Sequence, residues 1–479
     1  MARGGIAARG NSRRRCGKNA GGYAQDLRRR REEEGVQLRN LGAPASHGEG
    51  GSGPERAGVM VDEMVSQLYA DSPELQIQAI QCIGKLLLQD PKPPIDDVLS
   101  TGMVPMLVPL MQRDDHIILQ YEAAWCLSYI TGGTSLQTWR VVKAGAVPVF
   151  VCLLSSEKEK VRELAVVALG NIAVYSSECC DYVLDQGTLM ALLELFEKSM
   201  SVLMKRQVTW ALSNLCWRTP RFEKVQSCLP ILLRVLFARD PEVLTYVCRV
   251  LSYLSYGPNH QKQVVIDAGV CKRLVKLLTH KIQSVVSEAL QAIGHIVTGD
   301  DVQIQEVINC NALPCLLALL SSPEESIRKN ACWTLSNITA GNQQQIQAVI
   351  DANIFPVLAG MLSRGDLEIQ KEAARAITNA ISGGSPNQVR FLVQQKCIDA
   401  LCELLSAEDQ EVVQLALNGL DNVLRLGAQD AQPGGANPYA VLLLKCFGMN
   451  HFEFLQSHEY AYIYPEAFEV IKSYINVLV

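Results

Sequence analysis

A periodic pattern of apolar positions begins at Val59 and continues to the C-terminus at Val479. Each unit of the pattern opens with a turn and a short apolar helix, in which an early proline is tolerated because the first helical amide has no intrahelical partner. A longer amphipathic helix follows, and glycine or proline ends it. The short helices open at Thr101, Ala144, Ala268, Cys310 and Ala352. The pattern therefore predicts an array of helical units along most of the chain.

The longer helices carry one position that asparagine fills in most units. Asn337 follows Trp333 by four residues, so its carboxamide and the indole share one helix face. The position falls at Tyr129, Asn171, Asn214, Tyr253, His295, Asn337, Asn379 and Asn422. An interval of about 42 residues is typical of armadillo repeats, which stack because no unit can bury its apolar face alone. We predict an all-α fold, an armadillo-repeat right-handed superhelical solenoid of about ten repeats over residues 59–479.

Three tryptophans share one register and are predicted to line the concave groove of this solenoid. They are Trp125, Trp210 and Trp333. The same register also holds Arg249, Gln291 and Arg375, which a core position would hardly tolerate.

Such a groove suits one class of ligand. Asparagine amides can hold the backbone of an extended peptide, and the space between indoles suits an aliphatic stem that ends in a cation. Carboxylates close to the rows favour lysine and arginine heads, and the candidates are Glu122, Glu288, Asp300, Asp301 and Glu372. The rows indicate a receptor for basic, extended peptides.

The composition is that of a folded chain, with 48% apolar and 19% charged residues. No apolar run reaches the length of a membrane span, and the N-terminus lacks a signal peptide's apolar segment, so we expect the cytosol or nucleus. The 16 cysteines lack paired spacing, which predicts buried free thiols. The sequence contains no phosphate loop, nucleophile constellation or metal cluster, so we predict no catalysis and no cofactor.

The net charge of −5 is divided unevenly along the chain. Residues 1–40 carry eleven Lys or Arg and four Asp or Glu, so the rest is acidic. This basic arm could bind nucleic acid, an acidic protein surface or the body of its own chain, and composition alone favours a solvated tail. Gly, Ala, Ser and Pro dominate residues 41–58, which predicts a flexible linker.

Stretches along nearly the whole chain are similar to one known family. They include PPIDDVLSTGMVP from Pro93, EAAWCLSYITGGTSLQT from Glu122, TWALSNLC from Thr209 and KEAARAITNAISGG from Lys371. With these the sequence resembles importin-α, the adaptor that carries proteins with basic nuclear localisation signals. The segment RRRREEEGVQLR from Arg28 is similar to the first part of that family's importin-β-binding domain.

The resemblance implies an adaptor with two cargo sites in the groove. The residues matching the major site are Trp125, Gly133, Thr138, Asn171, Trp210 and Asn214, with Gly133 and Thr138 in the loop that receives the key lysine. The residues matching the minor site are Val297, Thr298, Asp301, Trp333, Ser336, Asn337, Glu372 and Asn379. His295 is expected to be a groove residue rather than a metal ligand.

The resemblance also implies partners and a location. The residues expected to contact importin-β are Arg13, Lys18, Arg28, Arg29, Arg30, Arg31 and Arg39. The other implied partners are proteins with basic localisation signals and the family's export receptor with Ran-GTP, with no nucleic acid and no membrane insertion. The protein is expected to shuttle between cytoplasm and nucleus.

The expected major site departs from the family pattern. Tyr129 replaces an asparagine, Leu164 a glutamine, Val167 a tryptophan, and Tyr175 the aspartate that pairs the key lysine. Loss of that carboxylate removes a charge-assisted hydrogen bond worth ~1.5–3 kcal/mol, so lysine selectivity should fall by roughly one to two orders of magnitude.

Other departures lie along the groove. Arg249 and Arg375 stand where the family has tryptophan, Gln291 where it has arginine, and Tyr246 where it has an acid. Arg375 would repel a cationic side chain unless Glu372 neutralises it. The groove is expected to be less aromatic and less acidic than the family's.

The arm departs as well, because the family's second basic cluster is missing after Asn40. We predict weak or absent self-inhibition and weaker importin-β binding. Deletion of residues 1–58 should hardly change cargo affinity, and a gain of about tenfold would contradict this. Two functions remain open: a divergent importin-α adaptor, and an armadillo scaffold that binds a different, less basic peptide without import activity.

Overall fold

The computed structural model describes residues 63–88, 94–217, 222–364, 366–407, 409–432, 436–443 and 445. The regular elements in these ranges are helices, and no strand occurs among them. The predicted all-α fold class is confirmed. No single helix in the same ranges is long and apolar enough to cross a membrane, although three bent pairs of neighbouring helices meet that length and composition together.

Long helices recur once per repeat and correspond to the amphipathic helices of the sequence pattern; we call them the third helices. They are α1 (Pro73–Leu87), α4 (Ile117–Thr131), α7 (Glu159–Tyr175), α10 (Val202–Cys216), α13 (Pro241–Leu254), α16 (Gln283–Ile296), α19 (Glu325–Thr339), α22 (Leu367–Gly383) and α25 (Gln410–Asp430).

Shorter helices connect successive third helices. Those before α13 are α2 (Ile95–Ser100), α3 (Val104–Leu110), α5 (Ser135–Lys143), α6 (Ala146–Leu153), α8 (Ser177–Asp185), α9 (Thr188–Leu195), α11 (Phe222–Val225) and α12 (Leu229–Val235). Those after it are α14 (Asn259–Asp267), α15 (Cys271–Leu277), α17 (Asp301–Asn309), α18 (Ala312–Leu319), α20 (Gln343–Asp351), α21 (Phe355–Arg364), α23 (Pro386–Gln394) and α24 (Cys397–Glu403). Short 3-10 turns lie at Gln226–Cys228 and Leu404–Ser406.

Contacts divide the chain into two compact units, unit 1 from Met1 to Val250 and unit 2 from Leu251 to Val479. Within unit 1, α4 packs between α1 and α7, and α7 packs on α10. Within unit 2, α19 packs between α16 and α22, and α22 packs on α25. The third helices from α1 to α10 are therefore consecutive neighbours, and so are those from α16 to α25.

Local sequence signals set the bounds of the connecting helices. Thr134 and Gln137 form a capping box at the start of α5, and Ser385 and Gln388 form another at the start of α23. Each box satisfies two backbone amides that lack a helical partner. Gly145, with φ of 81°, allows the sharp turn into α6, because a side chain is disfavoured in that conformation.

The cores contain Leu, Ile, Val and Ala from the inner faces of the helices, with Phe150 and Phe355 among the largest fully buried side chains. All cysteines in the described ranges are free thiols, and most are buried. This agrees with the prediction of buried free thiols. The basic arm and linker, residues 1–58, lie outside the described residues.

Candidate peptide-binding surfaces

The prediction that the three tryptophans face a common groove is wrong for two of them. Trp125 is 1% exposed and Trp210 is fully buried, while Trp333 is half-buried. Trp125 is also covered by Tyr129, whose ring stacks on it at a centroid distance of 5.3 Å. Among the three indoles, only that of Trp333 keeps accessible surface for a ligand.

Each of the three indoles lies against a glycine on the preceding third helix. A Cβ at Gly170 would lie 2.5 Å from Cζ3 of Trp210, and a Cβ at Gly294 would lie 2.8 Å from Cε3 of Trp333. At Gly84 the corresponding distance to Trp125 is 3.5 Å. The register of the tryptophans is therefore an interface between repeats, where an indole fills the space that a missing side chain leaves.

We call the residues at the recurrent asparagine position the amide row. In three repeats the row residue donates a hydrogen bond to a carbonyl of the preceding third helix. Nδ2 of Asn214 lies 3.0 Å from the Gly170 carbonyl, and Nδ2 of Asn379 lies 2.9 Å from that of Ser336. The acceptor is each time the residue just before the preceding row member. The row thus ties repeats together and fixes the orientation of its own side chains.

Two other asparagines of the row bond differently. Nδ2 of Asn171 lies 3.2 Å from Oγ1 of Thr131, and Nδ2 of Asn337 lies 2.8 Å from the Trp333 carbonyl in its own helix. Asn171 and Asn214 are buried, whereas Asn337 and Asn379 are half-buried. The row is accessible to a peptide mainly in unit 2.

His295 takes the place of an asparagine in the row and makes the equivalent bond. Its Nδ1 lies 2.8 Å from the Ser252 carbonyl and donates to it, which leaves Nε2 as an acceptor. Nε2 has no hydrogen-bond partner among the described residues. Tyr256 and Trp333 flank the ring edge-to-face at 5.2 and 5.7 Å. Burial lowers the pKa of His295 from 6.5 to about 4, so the ring is neutral at pH 7.

The turn after α4 is occupied by a side chain from the next repeat. The hydroxyl of Tyr175, at the end of α7, donates to the Gly133 carbonyl. Thr138 lies below the turn, fully buried, with its hydroxyl 3.1 and 3.0 Å from the carbonyls of Thr131 and Thr134. Burial raises the pKa of Tyr175, against a smaller opposing effect of the Thr138 side chain. The position matched to the lysine-receiving loop is therefore filled by the chain itself.

The carboxylates expected near the groove are largely committed to intramolecular bonds. Glu372 is buried and accepts from Nη1 of Arg375 at 3.0 Å and from Oγ of Ser336 at 3.2 Å. Arg375 also pairs with Glu411. Burial raises the pKa of Glu372, and the Arg375 charge opposes this shift. Glu372 therefore neutralises Arg375, and because of this pairing its carboxylate is already engaged within the chain.

The prediction that Glu122 and Glu288 lie at the rim of the groove is wrong. Glu122 and Glu288 stand at the register of Glu372 and are each 5% exposed. Asp301 is half-buried and accepts from Nδ2 of Asn342 at 3.2 Å, and Asp300 is exposed. The accessible negative charge of unit 2 among these candidates is that of Asp300 and Asp301.

The remaining predicted minor-site residues differ in access. Val297 and Ser336 are buried, and Thr298 is half-buried with its hydroxyl 2.7 Å from the His295 carbonyl. The replacements Tyr246 and Arg249 contact each other, since the guanidinium carbon lies 5.3 Å from the phenol ring centroid. The arginines and lysine expected to contact importin-β lie outside the described residues.

Sequence reasoning missed a buried lysine. Lys262 is 5% exposed, and its Nζ donates to the Gly257 carbonyl. Gly257 and Lys262 have the spacing of Gly133 and Thr138, so comparison of the two repeats position by position could have found it. No group of three or more His, Cys, Asp or Glu placed to hold a metal occurs in the described part of the chain.

The fold and the repeats define an armadillo-repeat protein. The armadillo/beta-catenin-like repeat matches residues 91–132, 134–174, 176–217, 258–298, 300–340 and 342–382. A solved engineered protein superposes with a TM-score of 0.77 at 28% identity, over 87% of this chain and 99% of its own.

Relatives of known name identify the family within that class. Importin subunit alpha-2 of Arabidopsis thaliana is 49% identical over 417 residues, which is 86% of this chain and 78% of the relative. Importin subunit alpha-1b of Oryza sativa subsp. japonica is 44% identical over 416 residues, with the same two coverages. The chain belongs to the importin-α family.

Proposed function

We propose that this protein is a nuclear import adaptor that binds extended, Lys/Arg-rich segments of its cargo. The observation that carries the proposal is membership of the importin-α family over most of the chain. Adaptors of this kind are not enzymes, and no catalytic step is part of the proposal.

Unit 2 is the principal cargo site in this proposal. Trp333, Asn337 and Asn379 are half-buried on successive third helices, so they offer an apolar face and two amides to one extended strand. Asp300 and Asp301 add negative charge at the start of α17. A lysine or arginine of the peptide would lay its stem on the indole and direct its charged head toward these carboxylates.

The basic arm would engage importin-β through Arg13, Lys18, Arg28 to Arg31 and Arg39. The adaptor would release cargo in the nucleus and return with the family's export receptor and Ran-GTP. These partners, and the shuttling between cytoplasm and nucleus, are inferred from the family.

A second function is favoured by the side chains that fill the expected cation sites. The hydroxyl of Tyr175 donates a hydrogen bond to the Gly133 carbonyl, and Arg375 forms ion pairs with Glu372 and Glu411 in unit 2. A groove altered in this way suits a less basic peptide. The alternative is an armadillo scaffold that binds such a peptide and takes no part in import.

Binding at several salt concentrations separates the two functions. The full chain is titrated with a fluorescein-labelled peptide of consecutive lysines and with a charge-neutral peptide of equal length. An adaptor should prefer the lysine peptide and lose affinity steeply between low and physiological salt, because exposed charges are screened. Preference for the neutral peptide, with little salt dependence, would support the scaffold.

The link to import is tested separately by capture of importin-β. The full chain and a variant with Arg28 to Arg31 changed to alanine are compared at equal concentration. Capture by the unaltered chain that falls with the four substitutions supports the adaptor. Absence of capture by the unaltered chain would contradict it.

A further inference from the structure

In two equivalent turns, a side chain donates a hydrogen bond to the carbonyl of a glycine. Gly133 and Gly257 each follow a tyrosine of the amide row by four residues. In one turn the hydroxyl of Tyr175 donates to the Gly133 carbonyl, and in the other Nζ of Lys262 donates to the Gly257 carbonyl. In both turns the glycine carbonyl therefore accepts a hydrogen bond from a side chain.

Lys262 indicates which ligand chemistry the turn can accept. Its stem is buried, and its ammonium group reaches the glycine carbonyl. Burial lowers the pKa of Lys262, and the nearby Asp300 carboxylate opposes part of that shift. A primary amine on an aliphatic stem therefore fits this turn when a carboxylate stands close to it.

Tyr175 fills the equivalent place in unit 1 with an uncharged donor. Its ring packs with Trp217 against the buried Val174, and its hydroxyl bonds the Gly133 carbonyl. Because burial raises the pKa of Tyr175, the phenol stays protonated and remains a donor at neutral pH. An incoming ammonium group would have to break this bond and displace the packed ring.

We infer that Tyr175 is a specificity-determining residue that keeps a primary amine off the Gly133 carbonyl, so that unit 1 binds an extended peptide without inserting a lysine there. The inference rests on the proposed function, because it assumes that a peptide crosses this turn. This effect differs from the loss of a carboxylate alone, because the Tyr175 hydroxyl already bonds the carbonyl that a lysine ammonium group would need.

The test uses calorimetric titration of the full chain with the lysine peptide. Tyr175→Asp removes the ring and supplies a carboxylate, and Tyr175→Ser removes the ring without charge. Tyr69→Asp, at a tyrosine that is 73% exposed, is the matched control for the added charge. We expect Tyr175→Asp to bind a second equivalent of peptide, or to gain at least about tenfold in affinity, because a charge-assisted bond forms in the opened space. Tyr175→Ser should gain less, and Tyr69→Asp nothing.

Two comparisons distinguish failure of the inference from failure of the proposed function. If the unaltered chain binds the lysine peptide, Asn379→Ala weakens that binding, and both Tyr175 variants bind like the unaltered chain, the inference is overturned and the function stands. If the unaltered chain does not bind but Tyr175→Asp does, the inference stands and the function fails. If no variant binds, the inference is overturned as well. Circular dichroism checks folding, and the serine variant decides the matter if Tyr175→Asp does not fold.

Discussion

The fit between an indole and the glycine of the preceding repeat can be tested with one methyl group. In Gly170→Ala the new Cβ would lie 2.5 Å from Cζ3 of Trp210 and 3.1 Å from Cε3. The indole is rigid and fully buried, so α7 and α10 must move apart to admit the methyl group. Gly84→Ala is the matched control, because its Cβ would lie 3.5 Å from Trp125, an ordinary contact distance.

The expected magnitudes have opposite signs at the two positions. Replacing glycine by alanine inside a helix gains up to ~1 kcal/mol in helix propensity. Crowding a packed core by one methyl group costs ~1–3 kcal/mol. Gly84→Ala should therefore stabilise the chain by up to ~1 kcal/mol, whereas Gly170→Ala should destabilise it by up to ~2 kcal/mol after the propensity gain.

Urea unfolding of the full chain measures this difference. Circular dichroism and tryptophan fluorescence are followed together, and midpoints are compared rather than extrapolated free energies, because a repeat array can unfold in steps. The two variants should shift the midpoint in opposite directions. Equal midpoints, or a higher midpoint for Gly170→Ala, would refute the steric reasoning.

Three further predictions concern single positions. Arg375→Gln should remove a cation that repels the peptide and so tighten binding of the lysine peptide several-fold. Unchanged affinity would show that Arg375 is not in the peptide's path. The pKa of His295 is about 4 in the folded chain and 6.5 ordinarily, so on acidification the unfolded chain binds a proton at His295 before the folded chain does. The free energy of unfolding should therefore fall by up to ~3 kcal/mol as the pH drops from about 6.5 to 4. His295→Asn should flatten that part of the urea-midpoint profile against pH, and an unaltered slope would contradict the assignment. Val167→Trp alone should destabilise the chain, and adding Ser128→Gly should recover part of the lost stability. A double-mutant cycle should give a coupling energy of about 1 kcal/mol or more between the two positions, and additive effects would show that they are not paired.

Much of the fold could be predicted from the sequence because its signals are local. The apolar period and the turn residues around Gly145 specify helices and their ends without reference to distant contacts. The row containing Asn214 and Asn379 was also visible, since its spacing survives substitutions such as His295.

The direction in which the indoles point could not be predicted in the same way. Arginines in the tryptophan register suggested a groove, but a long side chain can lie across an interface and extend its charge outward, as Arg375 does. The position of Tyr175 posed a related difficulty. The sequence revealed a missing carboxylate, whereas the bond to Gly133 depends on how one repeat meets the next.

Only some repeats have tryptophan in the tryptophan register, and which ones do depends on a residue of the preceding repeat. Tryptophan occurs where the preceding third helix has glycine before its row residue, as in the pairs Gly84 and Trp125, Gly170 and Trp210, and Gly294 and Trp333. Where serine stands there instead, the register holds another residue, as in the pairs Ser128 and Val167, Ser213 and Arg249, Ser252 and Gln291, and Ser336 and Arg375. At Gly170 and Gly294 the indole leaves no room for a Cβ, so there the indole and its neighbour must change together, whereas at Gly84 a Cβ would make an ordinary contact. The residue that occupies the tryptophan register is therefore constrained by the preceding third helix, and a single substitution cannot restore the missing indoles without strain.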